Sequence, residues 1–556
     1  MKRVLLVYPR FPVTYWGFQR CLEIFKIPAA LPPLGLVTLA AGLPGQWPCR
    51  LVDLNIEELD DEVLAWADVV LVGGMLVQSE SMLDVVRRAK AQSCRVVVGG
   101  PAATTAGELF AEADAVFAGE VEERMDQLVE AMVAEGGDGL PHRLSRVDGD
   151  LPSMSAVPVP RYDLLRWRSY MSMSIQYSRG CPFGCEFCDV IQIFGRKPRV
   201  KSSEQVLAEL QAIYDLGFRG SIFFVDDNFI GNRRAVRQLL PLLARWQEER
   251  HRPFDLYTEA SVNLASDGEL MTEMVAAGFR SVFVGIETPS PEALREAGKL
   301  QNLKLDLHQA VERLTRAGLE VMGGFIVGFD HDTPAAIEAL IRFIQEAPIP
   351  LAMVGLMMAL PGTDLWHRLE REGRLRGRPS GDQFARPNFE PLIDEVELLR
   401  GYESLIAHLY DPDHYYERCQ RFIDLVGRTP AGGHQPVADT LAFVRGTWAV
   451  GVKSRNRWRF WKLMARALVR SPHVVRHAFV DAVRGEHMIR YSQQDVLPRI
   501  GHSLQQVRDE RAWPGHCPPR ARPSDHVGSS RSSLGEGGPT TSAALVSPSS
   551  AEASAG

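Results

Sequence analysis

Cysteine is scarce in this sequence, with 8 residues in 556, which is too few for a small disulfide-stapled scaffold. A long unbroken apolar run is missing too. The uncharged stretch between Lys26 and Arg50 is interrupted by five prolines, and the apolar start of the chain stops at Pro9. These features exclude a spanning helix and a secretory signal there, so the sequence predicts a cytoplasmic protein.

An excess of positive charge is also absent. The chain has 62 Lys+Arg against 69 Asp+Glu, a net charge of -7, so nothing in the overall balance indicates a nucleic-acid partner. Hydrophobic residues make up 45% and charged residues 24%, a composition typical of folded proteins. A chain of 556 residues is longer than a single hydrophobic core normally supports, so the sequence predicts several domains.

The first part of the chain alternates short apolar runs with segments of helical pattern. Five such runs occur, around residues 4–7, 51–53, 69–74, 96–100 and 115–119. This alternation predicts parallel strands joined by helices, a doubly wound (Rossmann-like) sheet. Three of the runs end in glycine, which serves either tight turns or the close approach of a ligand to the backbone. The repetition on three strands favours a cofactor site.

A second strand and helix series follows. Six strands are predicted at 173–177, 221–225, 254–257, 281–285, 324–328 and 353–358, with helices such as 203–216, capped by Ser203, between them. Six βα units are consistent with a partial (β/α)6 barrel, although they could also form an open sheet.

The sequence divides into five predicted parts: 1–140, the doubly wound domain with the cofactor site; 141–165, a Pro- and Ser-rich linker; 166–365, the barrel; 366–512, a mostly helical domain; and 513–556, a disordered tail. Residues 445–490 contain eleven Lys or Arg and two acids, interleaved with Trp and Phe. This segment resembles an interfacial helix and predicts contact with a membrane surface. The alternative is a solvated basic surface with its aromatic side chains packed on the barrel.

Three of the eight cysteines, Cys181, Cys185 and Cys188, share one loop after the first barrel strand, with the spacing Cys-x3-Cys-x2-Cys. Structural zinc normally takes four protein ligands, and this segment has no fourth Cys and no nearby His. Three thiolates suit a 4Fe-4S cluster with one iron left open. Ordinary buried cysteines rarely show this spacing at the end of a strand.

This motif, with Phe187 within it, resembles the signature of the radical S-adenosylmethionine (SAM) superfamily. The resemblance implies that the open iron binds SAM, and that reduction of the cluster yields a 5′-deoxyadenosyl radical able to take hydrogen from an unactivated carbon. It also implies SAM contacts at Phe187 of the cysteine motif, at Gly324 of a glycine-containing strand, and at four acids that end strands along the barrel mouth, which are Asp226, Asp227, Glu259 and Glu287. For each isolated acid the alternative is a helix cap or a surface charge.

A doubly wound domain before such a barrel resembles the class that also binds cobalamin. The candidate corrin contacts are Gly73, Gly74, Gln78, Ser79, Gly99, Gly100, Gly119 and Glu120. The Asp-x-His-x-x-Gly motif of classical cobalamin mutases is missing, so the cobalt is predicted to lack a histidine ligand. Residues 1–480 are most similar to the hopanoid C-2 methylase-like branch, through motifs such as Tyr8–Pro12, Val225–Asn232 and Tyr410–Arg418.

The resemblance implies a cobalamin-dependent radical SAM enzyme that methylates an unactivated carbon of a lipid-like or other small molecule. The alternatives are an oxidative cyclase or other non-methylating radical enzyme with the same cofactors and, outside enzymes, a sensor that binds Fe-S and cobalamin. The expected partners are a small-molecule substrate, an external one-electron reductant such as flavodoxin or ferredoxin, and a membrane surface. The predicted location is the cytoplasm, with peripheral contact at the inner membrane face.

Overall fold

The computed structural model describes residues 1–134, 142–144, 151–379, 381–430 and 436–512. The segment predicted to be a disordered tail, 513–556, lies outside the described residues. Two parallel sheets and a set of C-terminal helices make up the described chain. This is the fold class that the sequence predicts.

The N-terminal sheet has six parallel strands in the order β2-β1-β3-β4-β5-β6. The strands are β1 Val4–Tyr8, β2 Cys49–Asp53, β3 Val69–Gly73, β4 Arg95–Gly99, β5 Ala115–Phe117 and β6 Arg143–Leu144. The helices are α1 Gln19–Phe25, α2 Leu34–Gly42, α3 Asp61–Trp66, α4 Ser79–Ala91, α5 Pro101–Ala106 and α6 Met125–Val133. Apolar clusters cover both faces of this sheet, as a parallel sheet requires.

Five of these strands coincide with the predicted runs, and the sixth was missed. The two-residue β6 pairs with β5 through Val116–Arg143 and Phe117–Leu144, and it is too short to give an apolar pattern. The sheet therefore extends past residue 140, where the sequence placed the end of this domain. The boundaries between the five parts stay a prediction.

The second sheet also has six parallel strands, in the order β14-β13-β12-β11-β10-β7. Its strands are β7 Ser172–Ile175, β10 Gly220–Phe224, β11 Phe254–Glu259, β12 Phe279–Glu287, β13 Glu320–Val327 and β14 Ala352–Leu356. The connecting helices are α7 Val190–Phe194, α8 Ser203–Asp215, α9 Arg233–Glu249, α10 Gly268–Ala277, α11 Pro291–Glu296, α12 Leu307–Ala317 and α13 Pro334–Glu346. A small antiparallel pair, β8 Ser178–Arg179 and β9 Arg199–Val200, brackets the cysteine loop. The six units form the predicted partial barrel.

Helix ends in the barrel follow from local sequence. Ser202, and not the predicted Ser203, caps α8: its hydroxyl accepts from the Gln205 amide, and the Gln205 side chain accepts from the Ser202 amide. Both residues are serine, so the sequence alone could not separate them. Gly318 ends α12 with φ +101°, a left-handed conformation that favours glycine.

Most of the C-terminal helices share one apolar core with the barrel, whereas Leu365 and Leu369 of the first of them belong to a separate cluster. They are α14 Asp364–Arg371, α15 Glu395–Leu409, α16 Pro412–Leu425, α17 Pro436–Gly446, α18 Arg457–Arg470, α19 Val475–Tyr491 and α20 Leu497–Ala512. Thr447–Lys453, between α17 and α18, is π-helical. The Tyr402 hydroxyl of α15 donates to the Val354 carbonyl of β14 at 2.7 Å, which ties these helices to the edge of the sheet. No helix of the described residues is long and apolar enough to cross a bilayer.

Candidate active site

The three predicted cluster ligands lie in the loop between β8 and α7, at the carboxyl end of the barrel strands. Cys181, Cys185 and Cys188 are partly buried and form no disulfide. Burial raises the pKa of each thiol, and the pKa of Cys188 is raised further by Asp189 and by the two other thiols. Burial therefore disfavours the thiolate form of all three side chains in the absence of a positively charged partner. Cationic iron is the kind of partner that such a group takes.

Within the described residues, no group of three or more His, Cys, Asp or Glu side chains could hold a single metal ion. A 4Fe-4S cluster is a different case, because each thiolate binds a different iron. Three free, partly buried thiols in one loop fit a cluster, and they do not fit a closed mononuclear zinc site.

Asp226 and Asp227 follow β10 and reach the base of the cysteine loop. Asp226 accepts hydrogen bonds from the Tyr177 and Ser178 amides and from the Ser178 hydroxyl. Asp227 accepts a long one, 3.5 Å, from the Gly180 amide. Burial raises the pKa of Asp226 to about 7 and that of Asp227 to about 6. These contacts place both carboxyls at the loop, and the Asp226 carboxyl is already engaged by the protein.

The neighbouring Asn228 also belongs to this site, although it was not among the predicted site residues. Its side-chain amide lies 3.8 Å from the Cys181 sulfur and its carbonyl oxygen accepts from the Ser261 amide. Asn228 thus links the cysteine loop to the end of β11.

Glu259 and Glu287 end β11 and β12 at the same mouth. Glu259 makes no hydrogen bond or ion pair with any described residue, and burial, followed by the charges of Asp227 and Asp226, raises its pKa to about 8. Glu287 has φ +65°, an unusual value for a non-glycine residue, where the β12–β13 register shifts. Strained backbone of this kind is concentrated at functional sites.

Lys299 is the principal residue that sequence reasoning missed. Its ammonium pairs with the Glu287 carboxylate in the barrel interior and lies 5.9 Å from the centre of the Phe187 ring. Burial lowers the pKa of Lys299, but Glu287 and the nearby Cys185 raise it more, so the net shift is upward. A lone lysine after α11 has no spacing pattern that would reveal it.

A cavity of about 310 Å³ opens beside this ion pair. Predicted Phe187, Glu287 and Gly324 line it, together with Trp16 of the N-terminal region and Gly381 after the barrel. A Cβ on Gly324 would lie 2.5 Å from the Phe283 ring, so glycine there makes room for an aromatic wall. We call this cavity the chamber.

Gly381 connects the chamber to the N-terminal domain. A Cβ on Gly381 would lie 2.9 Å from the Cα of Val77, a residue of the loop after β3. The chamber is thus bounded by Phe187 of the cysteine loop on one side and, on the other, by a residue that packs on the predicted corrin loop.

The predicted corrin contacts follow three adjacent strands, β3, β4 and β5. Gly73 and Gly99 are directly paired, and a Cβ on Gly100, where φ is +86°, would lie 3.2 Å from the Gly74 carbonyl oxygen. Gly119 also has positive φ, +85°. This glycine cradle lies at the carboxyl ends of parallel strands, where cofactors bind in open α/β sheets, and it fits a large planar group.

The polar candidates of this loop are engaged with backbone. The Gln78 side chain donates to the Pro9 carbonyl and accepts from the Met75 amide, while the Ser79 hydroxyl donates to the Leu76 carbonyl. These bonds shape the loop after β3. Direct contact of either side chain with a corrin stays a prediction.

Glu120 was predicted to contact the corrin, but its side chain pairs with two arginines. Its carboxylate is buried and pairs with Arg179 at 2.6 Å and with Arg199 at 2.6 Å. Glu122 pairs with Arg179 at 2.9 Å. Because Arg179 lies two residues before Cys181, these ion pairs fasten the loop after β5 to the cysteine loop. The sequence could not reveal these ion pairs, since the partners are 57 to 79 positions apart.

Comparison with known proteins supports the same assignment. The model of the radical SAM superfamily matches residues 175–344, that of the B12 binding domain matches 23–129, and that of a domain of unknown function matches 363–497. An uncharacterized methyltransferase of Synechocystis sp. is 40% identical over 509 residues, 90% of this chain and 94% of the relative. The hopanoid C-2 methylase of Rhodopseudomonas palustris is 35% identical over 502 residues, 89% of this chain and 94% of the relative.

The chain belongs to the cobalamin-binding radical SAM family, in the hopanoid C-2 methylase-like branch. Its identification as an enzyme with a 4Fe-4S cluster, SAM and cobalamin as cofactors is confirmed, as is its class, a cobalamin-dependent radical SAM methylase. The roles of individual site residues stay predictions.

A solved structure supports the fold. The radical SAM methyltransferase TsrM of Kitasatospora setae, with cobalamin and a [4Fe-4S] cluster bound, superimposes with a TM-score of 0.57 at 17% identity and covers 85% of this chain and 100% of its own. At this identity the likeness shows the shared architecture.

Proposed function

We propose that this enzyme methylates an unactivated carbon of an apolar, lipid-like small molecule held in the chamber. The observation that carries the proposal is the place of the chamber, between Phe187 of the cysteine loop and Gly381, which packs on Val77 of the corrin loop. A substrate there would lie between the two cofactor sites. Radical methylation requires this order, because hydrogen removal and methyl delivery must occur at one carbon.

The chamber favours an apolar substrate. Most of the described residues that line it are apolar, among them Trp16, Phe283, Phe325, Met353 and Met357. Its one charged lining residue, Glu287, is paired with Lys299, so the wall offers few free polar groups to a ligand. An unpaired polar substrate atom buried there would lose its hydrogen bonds to water. The hopanoid C-2 methylase relative supports a lipid substrate class.

The bound cofactors supply the radical that removes hydrogen and the methyl group that replaces it. The residues of this chain hold and shield the reacting carbon. Trp16 contacts Phe283 with ring centres 4.6 Å apart, and this aromatic pair forms part of the chamber wall. Asp226, Asp227, Glu259, Glu287, Phe187 and Gly324 are proposed to contact SAM, and Lys299 is proposed to orient Glu287.

We test the reaction with anaerobically reconstituted enzyme, SAM, a low-potential reductant and lipid extracts analysed by mass spectrometry. A product heavier by one CH₂ group supports methylation. Loss of hydrogen or gain of oxygen would support the rival oxidative or cyclising reaction, which has support in a 23% identical relative named anaerobic magnesium-protoporphyrin IX monomethyl ester cyclase, from Cereibacter sphaeroides. If no 5′-deoxyadenosine is released, the result would favour the alternative of a non-enzymatic sensor that binds an Fe-S cluster and cobalamin.

Cobalamin is proposed to rest on Gly73, Gly74, Gly99, Gly100 and Gly119, with no protein histidine on cobalt. We expect the electron paramagnetic resonance spectrum of the cob(II)alamin form to lack strong axial nitrogen splitting. A clear nitrogen-split signal would contradict the histidine-free site while leaving the cluster assignment intact.

The remaining expectations concern partners and location. We propose an external one-electron reductant, such as flavodoxin or ferredoxin, and a cytoplasmic enzyme that contacts the inner face of the membrane. The absence of a nucleic-acid partner likewise stays a prediction from net charge. We also keep the five-part domain division as a proposal, with the N-terminal domain extended to β6.

A further inference from the structure

The helical region around α18 exposes large apolar side chains to solvent. Trp458 is 75% exposed, Leu468 62% and Val469 90%, and Trp461 is 47% exposed. Trp448 of the π-helical segment, 56% exposed, extends the same region. The alternative that the aromatic side chains of residues 445–490 pack on the barrel holds only in part. Phe460 and Phe479 are buried, but Trp448, Trp458 and Trp461 are not. Soluble proteins rarely leave contiguous apolar patches of this kind without a partner.

The exposed residues of α18 form one stripe. Trp458, Trp461, Ala465 and Leu468 follow one another at intervals of three, four and three residues, with Val469 beside them, so they share a face of the helix. We call these five residues the α18 stripe. The opposite face, with Phe460, Leu463, Met464 and Ala467, is buried. The helix is therefore apolar on both faces, and only one of them is covered within the described residues.

Neighbouring elements continue the stripe. The Trp461 indole donates to the Gly451 carbonyl at 2.9 Å, which fixes the π-helical segment next to α18. Val452, 46% exposed, follows directly. The Lys453 ammonium lies 5.7 Å from the centre of the Trp448 ring. Tryptophan and lysine side by side on one apolar surface are typical of membrane interfaces.

Basic side chains border the stripe on both sides. At 100° per residue, Arg457 lies at one edge of the stripe and Lys462 at the other. Both are exposed, as are Lys453 and Arg455, and none of the four pairs with a carboxylate of the described residues. By contrast Arg459 and Arg466, turned toward α16, pair with Asp413 and Asp424. Residues 441–480 contain no Asp or Glu at all.

We propose that the α18 stripe docks on a lipid bilayer that carries anionic headgroups, with Trp458, Trp461 and Leu468 at the acyl boundary and the flanking cations on the phosphates. The positive charge beside the α18 stripe distinguishes between two partners that could cover it, a second copy of this chain and a lipid bilayer. A second copy meeting this face through a twofold axis would bring unpaired cations of one sign together, whereas an anionic bilayer complements them. The proposal goes beyond methylation, because it does not require the bilayer lipid to be the substrate.

The test is flotation of the cofactor-loaded enzyme with vesicles of phosphatidylcholine, with or without phosphatidylglycerol, at low and high salt. We expect binding only to the anionic vesicles, weakened by salt. Arg457→Gln/Lys462→Gln should reduce binding about thirtyfold, since each of the two basic side chains near such a surface contributes about 1 kcal/mol. Arg234→Gln/Arg313→Gln removes two exposed cations elsewhere and should leave binding unchanged.

A second pair of variants tests whether the apolar side chains of the α18 stripe insert into the bilayer. Trp458→Ser/Leu468→Ser should lose binding to anionic vesicles, while Leu392→Ser, at a residue 66% exposed far along the chain from α18, should bind as the parent does. Retained visible spectra of the cluster and cobalamin show that each variant is folded. Equal or negligible binding of the parent enzyme to both vesicle types would overturn the proposal. So would self-association in solution that the Trp458→Ser/Leu468→Ser variant abolishes, since a second copy would then be the occupant.

SAM cleavage measured without vesicles separates this proposal from the proposed function. An enzyme that releases 5′-deoxyadenosine yet does not bind anionic vesicles would refute the docking surface and the proposed membrane contact, and would leave the proposed methylation standing. An enzyme that binds vesicles and methylates nothing in lipid extracts would leave the docking surface standing.

Discussion

The acidic side chains at the carboxyl ends of the barrel strands differ in their polar partners from those at the amino ends. At the carboxyl ends, Glu259 has no polar partner among the described residues and Glu287 lies in strained backbone. At the amino ends, Asp255 of β11 pairs with Arg476 at 2.5 Å, and Glu320 of β13 pairs with Arg484 at 2.7 Å. The mouth leaves Glu259 available for a ligand, although Glu287 there is paired with Lys299. At the base, both Asp255 and Glu320 are paired with arginine.

Helix α19 explains the difference, because both arginines of the base belong to it. The helix closes the base with ion pairs and packs its apolar side chains on the barrel core. Stability gained there can offset strain and unpaired carboxyls at the mouth. The comparison teaches that changes at the mouth should affect chemistry first, and changes at the base should affect folding first.

The largest expected effect is at the mouth. Cys185→Ala should abolish both 4Fe-4S assembly and SAM cleavage, because a cluster with two protein ligands is not held. The measurements are iron and sulfide content and 5′-deoxyadenosine release under reducing conditions. Thermal stability of the cofactor-free protein should change little. SAM cleavage retained by this variant would refute the cluster assignment.

The matched control is Cys49→Ala, at a partly buried thiol in β2 outside the site. It should assemble the cluster as the parent does. The same is expected for the remaining cysteines away from the loop, which are Cys21, Cys94, Cys419 and Cys517.

The second largest expected effect comes from removing an ion pair at the amino ends of the barrel strands. Arg484→Met removes the partner of Glu320 and leaves Asp481 buried beside it, where burial already raises the Asp481 pKa well above its ordinary value. Loss of one partner from a buried ion pair should cost about 3 kcal/mol of stability. The urea midpoint should fall while iron content after reconstitution is retained.

Arg476→Met provides the control on the same helix. The Arg476 side chain is 52% exposed, and Asp255 keeps Arg280 as a second partner at 3.3 Å. We expect a cost below about 1 kcal/mol, as for exposed pairs. Equal losses for the two variants would contradict the special role given to the Glu320 pair.

The same contrast explains which features the sequence could reveal. Apart from β6, the strands of both sheets were predictable because each contains a run of apolar residues with glycine or polar residues at its end. The cysteine loop was predictable because its ligands are close in sequence. The acids of the mouth could be placed at strand ends for the same reason. What each of them contacts could not be inferred.

Features made by distant segments stayed hidden. Trp16 reaches the chamber from the N-terminal domain, and Gly381, after the last barrel strand, packs on Val77. Lys299 meets Glu287 from the other end of α11. Glu120 illustrates the limit best: its position after β5 predicted a ligand contact, but two arginines near the cysteine loop bind it. Tertiary pairing of this kind leaves no periodic pattern in the sequence.

The smallest expected effect concerns Glu259, whose pKa is raised to about 8, chiefly by burial. A carboxyl with a raised pKa favours the folded state at low pH, and this contribution is lost as pH rises from the ordinary value of 4.5 through about 8. Glu259→Gln cannot ionise, so the cofactor-free variant should become more stable than the parent as pH rises. Because Glu259 is only partly buried, we expect a gain on the order of 1 kcal/mol at pH values above the raised pKa and none near pH 5. The measurement is the urea midpoint of both proteins across this pH range, with Glu397→Gln on exposed α15 surface as the control. A difference that does not change with pH would show that Glu259 ionises normally and that the mouth, like the base, satisfies its charges.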